Sequence, residues 1–239
     1  MKYLELTFAD PASNLACDEA LLDYCESEGI ADGLLRLWQP ETYFVVLGHS
    51  NRVQAEVDLP ACAAADIAVL RRISGGGAVL QGPGCINYSL VLDARAHDIK
   101  NIQAGFRYVL ERHRQWAQDL TGAKIRIEGI SDLTLGGRKF SGNAQYRRAA
   151  YVLVHGTFLV QFEVSMMERS LRLPNKQPAY RSHRGHSEFV TNLGLDADKI
   201  TSGLQSIWRA SEPLETVPAG RIEHLVNTRY GREEWSRKF

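Results

Sequence analysis

The sequence predicts an α+β fold, a mixed and mostly antiparallel sheet flanked by helices. Three observations predict it. The patterned segments run in the order helix, many strands, helix, more strands, then helices. Short glycine- or proline-bearing turns join the strand-like runs, as antiparallel neighbours require. No regular alternation of strand and helix, the mark of a parallel sheet, runs through the chain.

The 239 residues carry no repeat, no low-complexity tract and no linker, so one domain over 1–239 is expected. Lys and Arg total 28 and Asp and Glu total 28, a net charge of zero. That balance speaks against nucleic acid or an anionic membrane held by bulk electrostatics. No apolar run approaches the roughly 20 residues of a membrane span. The opening MKYLELTFADPASN has acidic residues and no long apolar core, unlike a signal peptide, so a cytoplasmic location is expected. Four cysteines form no C-x-x-C pair, and Cys17, Cys25 and Cys62 read as reduced, partly buried thiols.

The first helix starts after Asp10-Pro11, a cap followed by proline at the first helical position. Its apolar stripe holds Leu15, Ala16, Ala20 and Leu22. Glu19 falls in that stripe, and reads either as partly solvated or as aimed into a site. Strands follow over 34–39 and 42–49, joined by a proline turn. Residues 56–66 read as one short helix behind Asp58-Leu59-Pro60, and 67–74 as a strand. The run 78–93 has two apolar stretches around Gly82-Pro83-Gly84, which suits a hairpin or a strand–turn–strand. Helical spacing covers 102–120, from Ile102 through Phe106, Val109 and Leu110 to Leu120. Residues 124–142 give a short strand, a loop and a strand pair turned at Gly136-Gly137. The strongest strand signal is 150–162, and two helices are expected from about 198.

The sharpest chemical segment is Arg71-Arg72-Ile73-Ser74-Gly75-Gly76-Gly77-Ala78. Three glycines after a strand cost backbone entropy, and make sense where amides approach an anion closely. The arginines before them can supply forked donors. No G-K-[ST] follows, so this is not a P-loop, and no helix opens there as a dinucleotide fingerprint needs. In a second segment, Gly136 to Gln145, Lys139 lies beside Arg138 between glycine-rich flanks. It reads as a point charge for a forming acyl phosphate, or as a solvated hairpin lysine. His155-Gly156-Thr157 ends an apolar strand, where a satisfied core histidine is the common case. The basic run 176–186 reads as a mobile loop over a site. Its His183 and His186 lack a third ligand, which speaks against metal. Cys85 follows Gly84 in a turn. It reads as a passive thiol or as a nucleophile activated by a nearby cation.

Taken in order, R-R-I-S-G-G-G-A-V, G-P-G-C-I-N-Y-S, S-D-L…G-R-K-F-S-G-N-A-Q and H-G-T-F-L-V resemble the lipoate–protein ligase family over nearly the whole chain. The helix N-L-A-C-D-E-A-L resembles the family's opening helix. The resemblance implies the catalytic fold shared by biotin and lipoate protein ligases, related to class II aminoacyl-tRNA synthetases. It also implies two steps: ATP and lipoate give lipoyl-AMP, and the lipoyl group then passes to a lysine of a carrier domain. Carried over, Arg72 and Ser74 resemble adenylate and lipoate contacts, with Gly75 and Gly76 in the same loop. Gly77, Ala78, Val79 and Leu80 resemble the strand backbone that binds nucleotide. Lys139 resembles the lysine at the mixed anhydride, with Ser141 in the same motif, and Asp132 the acidic position beside nucleotide and Mg2+. His155, Gly156 and Thr157 resemble the family's H-G-T near the lipoyl channel.

Three departures stand out. Cys85 and Val154 occupy positions where relatives often have Asn and His. The chain ends at Phe239, where many bacterial ligases continue into an accessory domain. That leaves a separate accessory subunit or a transfer-only enzyme as expectations. An ATP-independent octanoyl or lipoyl transferase using a Cys85 thioester is the alternative activity. A non-catalytic protein that binds lipoate or a carrier is the alternative without activity.

Overall fold

A computed structural model describes residues 1–174 and 176–239. The chain opens with β1 (Lys2–Glu5), α1 (Pro11–Glu28), β2 (Leu34–Trp38), β3 (Phe44–Leu47), α2 (Val53–Glu56), α3 (Leu59–Ala64) and β4 (Ala68–Arg71). Then come β5 (Val79–Gln81), β6 (Cys85–Asp93), α4 (Ile102–Thr121), β7 (Ile125–Glu128), β8 (Asp132–Leu135), β9 (Arg138–Arg147) and β10 (Tyr151–Leu159). The last elements are α5 (Ser165–Ser170), α6 (His186–Phe189), α7 (Ala197–Ile207), β11 (Glu212–Pro213), α8 (Ala219–Leu225) and α9 (Glu233–Ser236).

Eight strands form one sheet in the order β11-β1-β2-β6-β10-β9-β8-β7, and a smaller sheet has the order β4-β3-β5. Pairing is parallel at β11-β1-β2 and β3-β4, and antiparallel elsewhere. The predicted α+β class with a mixed, mostly antiparallel sheet is the observed one. Side chains alternate across the large sheet. Tyr88, Leu90, Val154 and Phe158 meet Val109 and Leu110 of α4 and Leu204 of α7 on one face. Val91 and Leu153 meet Leu15, Leu21 and Leu22 of α1 and Ile222 of α8 on the other.

The two long helices are bounded as their ends dictate. Asp10 accepts from the amides of Ala12 and Ser13 at the start of α1, and Gly29 ends it at φ 66°. Asn101 accepts from the Ala104 amide at the start of α4, and Gly122 ends it at φ 66°.

Several expectations change. The single helix over 56–66 is two, because Val57 is extended at φ −124° and Asp58 starts a new cap on the Ala61 amide. The proline turn after β2 changes sheets, since β3 belongs to the smaller one. The run 78–93 is a strand–turn–strand, not a hairpin: β5 pairs with β3, while β6 pairs with β2 and β10. Gly84 makes that change of sheet possible at φ 86°. A Cβ there would sit 2.5 Å from the Phe162 amide nitrogen. Beyond residue 198 the C-terminal part holds α8, a π-helical turn (Val226–Tyr230) and α9 after α7, more than the two helices expected. Glu19 is not solvated: it is 1% exposed and pairs with Arg148 at 3.3 Å, with Arg229, and with the Tyr230 hydroxyl at 2.7 Å. It clamps the C-terminal segment to α1. No helix among the described residues is long and apolar enough to cross a membrane.

Candidate active site

A cavity of about 560 Å³ opens between the small sheet, β9, β10 and the segment before α6. Most residues singled out in the sequence meet there, but the two arginines divide. Arg71 is fully buried and structural. It donates to the carbonyls of Gly48, His49, Asn51, Trp235 and Ser236. Arg72 lines the cavity, and its Nη2 holds the Gly75 and Gly77 carbonyls at 2.8 and 2.9 Å. Burial pulls its pKa down to about 10, still charged at neutral pH. The Arg72 fork thus shapes the glycine turn at the edge of the cavity. With those carbonyls turned to Arg72, the Gly75, Gly76 and Gly77 amides make no backbone hydrogen bond among the described residues. Gly76 and Gly77 line the cavity and Gly75 does not, so the Gly76 and Gly77 amides remain as donors for an anion there. Ala78, Val79 and Leu80 line the cavity along β5, the outer strand of its sheet.

Ser74 lies behind the wall, fully buried. Its Oγ is 2.6 Å from His155 Nε2 and accepts from Arg72 Nε at 3.0 Å. His155 Nδ1 is 3.3 Å from Asp18 Oδ2, and Asp18 Oδ1 pairs with Arg36 at 2.7 Å. Burial pushes the Asp18 carboxyl up, but the His155 hydrogen bond and the Arg36 charge outweigh it and hold the pKa below the usual value. An ionised Asp18 accepts from Nδ1–H, which leaves Nε2 as the acceptor for the Ser74 hydroxyl. Asp18 is absent from the sequence reading, which stopped at Glu19. Its spacing of three from Leu15 and four from Leu22 puts a carboxylate inside the core stripe, a signal that was available.

Lys139 and Asp132 face each other across the β8–β9 hairpin, Nζ to Oδ1 2.7 Å. The Tyr180 hydroxyl donates to Asp132 Oδ2 at 2.7 Å, and Tyr180 too was missed. Burial and the Asp132 charge push the Tyr180 pKa up, which keeps it a donor. The lysine stem crosses Gly142, where a Cβ would sit 2.6 Å from Cε and Nζ. Gly156 leaves room for Asn143, whose Oδ1 accepts from Tyr88 at 2.7 Å and lies 3.4 Å from Ser141 Oγ. Thr157 completes a ring: Gln81 Nε2 donates to it at 2.7 Å, it donates to Asn87 Oδ1, and Asn87 Nδ2 donates to Gln81 Oε1 at 3.0 Å.

Cys85 is the first residue of β6, 1% exposed, outside the cavity wall, and burial pushes its thiol up to about 12. That burial speaks against the nucleophile reading of Cys85, because a thiol that stays protonated is a poor attacker. The other three thiols are buried as well, with pKa values raised by burial. Segment 176–186 does lie over the cavity, tied down by Tyr180 and by Arg184 Nη2 to the Gly137 carbonyl at 3.1 Å. Burial and the Arg181 charge push His186 down to about 4. No group of three His, Cys, Asp or Glu side chains suited to a metal occurs among the described residues.

The profile of the lipoyl protein ligase A/B catalytic domain matches residues 10–201. A protein of Aeropyrum pernix carrying a lipoate-protein ligase A name is 31% identical over 213 residues, covering 89% of this chain and 76% of that one. The octanoyltransferase LipM of Geobacillus kaustophilus is 24% identical over 275 aligned residues, covering 99% of this chain and 98% of its own. The structure of a bipartite lipoate protein ligase of Thermoplasma acidophilum, described with its E2 lipoyl domain, superposes with a TM-score of 0.80 at 22% identity, over 99% of this chain and 95% of that one. At that identity the superposition speaks for the fold. The match of the family profile over most of the chain, with a relative above 30% identity, makes this protein a member of the lipoyl protein ligase A/B catalytic-domain family.

Proposed function

We propose that the protein joins lipoate to ATP as lipoyl-AMP and passes the lipoyl group to a lysine of a carrier domain. The observation that carries the reading is the Lys139 ammonium, held 2.7 Å from Asp132 at the wall of a cavity that also takes in the Gly76–Gly77 turn. In the first step a lipoate carboxylate oxygen attacks the α-phosphorus and the bond to pyrophosphate breaks. Negative charge builds on phosphoryl and acyl oxygens. The Gly76 and Gly77 amides and Lys139 supply fixed donors for it, with Arg72 holding the turn in shape. In the second step the carrier amine attacks the acyl carbon, the bond to AMP breaks, and the amine proton must leave. Both ring nitrogens of His155 are engaged, by Asp18 and by Ser74, so the departing AMP phosphate takes that proton. The apolar wall of Val46, Val79, Leu80, Leu159 and Phe189 suits a hydrocarbon tail.

Asp132 is a lone carboxylate whose oxygens face Lys139 and Tyr180. One carboxylate cannot hold Mg2+ alone, but Mg2+ borne on nucleotide phosphates needs only one or two. The donor set therefore fits a metal that arrives with ATP and there supplies charge neutralisation.

A second reading, acyl transfer without ATP, draws support from the likeness to octanoyltransferase LipM over the whole chain. The thiols speak against a cysteine thioester here, since each is buried and its pKa raised. The partner we propose is a lipoyl domain, with a separate accessory subunit as a further candidate. The test is mass spectrometry of a purified lipoyl domain incubated with this protein, lipoate, ATP and Mg2+. A lipoyl adduct that disappears when ATP is left out bears the ligase reading out. An octanoyl adduct formed from an octanoylated donor domain without ATP replaces it with the transferase.

A further inference from the structure

The turn between β7 and β8 carries a side chain that the fold does not use. Glu128 pairs with Asp132, which leaves Gly129, Ile130 and Ser131 as the loop, and all three line the cavity. Ile130 is 75% exposed. Turn tips ordinarily carry Gly, Asn, Asp or Ser, for backbone shape or local hydrogen bonds. Gly129 meets the need for shape at φ 59°, so the turn itself does not call for a branched apolar residue beside it. The segment before α6 packs against this turn: a Cβ at Gly129 would lie 3.3 Å from Pro178 Cβ and 3.5 Å from Tyr180 Cε1.

A lone exposed apolar residue carries no meaning by itself. Ile130 is distinguished by its place and its neighbours. Among the described residues it is the one large apolar side chain that is both exposed and on the cavity wall. The charged wall residues that are exposed are both cations, Arg172 and Lys176. The carboxylates of the wall, Asp18, Glu56 and Asp132, are buried or half-buried. An amine borne on a folded domain reaches the cavity across its exposed edge, and that edge is then covered by the domain. We propose that Ile130 anchors the surface on which the carrier domain docks, with Lys176 and Arg172 meeting carboxylates beside its acceptor lysine. The partner is thus a small folded domain with an apolar, acid-rimmed surface around that lysine. An apolar centre with charges at its rim is the usual anatomy of such a contact. The assignment rests on the carrier-modifying function proposed above.

The test uses two assays on the full chain. One reads pyrophosphate released from ATP and lipoate with no carrier present, and the other reads lipoyl transfer across a range of lipoyl-domain concentrations. Ile130→Ser is expected to raise the KM for the lipoyl domain about fivefold or more, with kcat and pyrophosphate release as in wild type. Its side chain is exposed, so its melt matches wild type. Lys176→Glu is expected to raise the same KM, and added salt should weaken wild type more than this variant. A KM that stays at the wild-type value in both variants overturns the docking surface. So does pyrophosphate release that falls in step with transfer in Ile130→Ser, since the residue would then act on the nucleotide. A wild-type protein that modifies no lipoyl domain under any of these conditions fails the function and the docking surface together, a result distinct from variants that match an active wild type.

Discussion

Gly142→Ala separates positioning from stability. A Cβ at residue 142 lies 2.6 Å from both Cε and Nζ of Lys139, and nothing else comes nearer than 3.8 Å. The backbone there needs no positive φ, so alanine fits the strand. What must yield is the flexible end of the lysine, which has to move by roughly 0.8 Å to reach an ordinary van der Waals contact. Stability therefore changes little, within about 1 kcal/mol, and a gain from the stiffer unfolded chain is as expected as a loss. Catalysis pays more heavily. A displacement near 1 Å at a reacting group costs on the order of 10²-fold, about 2.7 kcal/mol in the barrier. The measurement is the initial rate of lipoyl transfer to a lipoyl domain, run beside a thermal melt. A variant that melts like wild type and transfers within about threefold of its rate refutes the claim that the Lys139 position is set over Gly142.

Gly137→Ala is the converse: φ is 75° in the β8–β9 turn and nothing lies within 4 Å, so the melt falls by about 1 kcal/mol while the transfer rate holds. Asp18→Ala leaves the fully buried Arg36 guanidinium without its carboxylate and is expected to cost about 3–5 kcal/mol in urea unfolding; a loss under about 1 kcal/mol contradicts the ion-pair account. Cys85→Ser retains transfer activity, and alkylating reagents leave the native Cys85 thiol unmodified, because it stays protonated up to about 12. His113 gives a pH signature. Burial lowers its pKa from 6.5 to about 3, so the unfolded chain takes up a proton that the folded chain refuses. The stability it contributes is full above pH 6.5 and is lost as pH falls toward 3, at up to about 1.4 kcal/mol per pH unit. Urea titrations whose midpoint stays flat from pH 6.5 to 4.5 exclude that contribution.

Motif residues were legible wherever local chemistry made their composition costly. Three glycines after a strand, and a lysine between glycine-rich flanks, have few passive explanations, and Gly76, Gly77 and Lys139 lie at the cavity. The role of each residue within a motif was harder to read. Arg71 and Arg72 are neighbours on one strand end, so alternation points them to opposite sides. One is spent on the carbonyls of a C-terminal segment some 165 residues away, the other on its own turn. Nothing near residue 71 announces that partner. Glu19 and Asp18 follow the same logic. A one-residue step around the helix turns a carboxylate from Arg229 and Tyr230 to Arg36 and His155.

Cys85 shows why a spacing motif does not define a nucleophile. The glycine turn that made it conspicuous exists to carry the chain from the small sheet to the large one, with Gly84 pressed against the Gln161–Phe162 backbone. The strand starts at the next residue, and pairing with Leu159 draws the thiol into a cluster with Val45, Leu80 and Phe162. Burial in that cluster raises the thiol's pKa, opposed by a backbone hydrogen bond at Gly82. The charged groups that do converge, Lys139 and Arg181, arrive from β9 and from the segment before α6, whose contacts with each other run through Asp132 and Tyr180. A chain with zero net charge can thus assemble a cationic pocket, because the fold gathers cations over distances that sequence composition averages away.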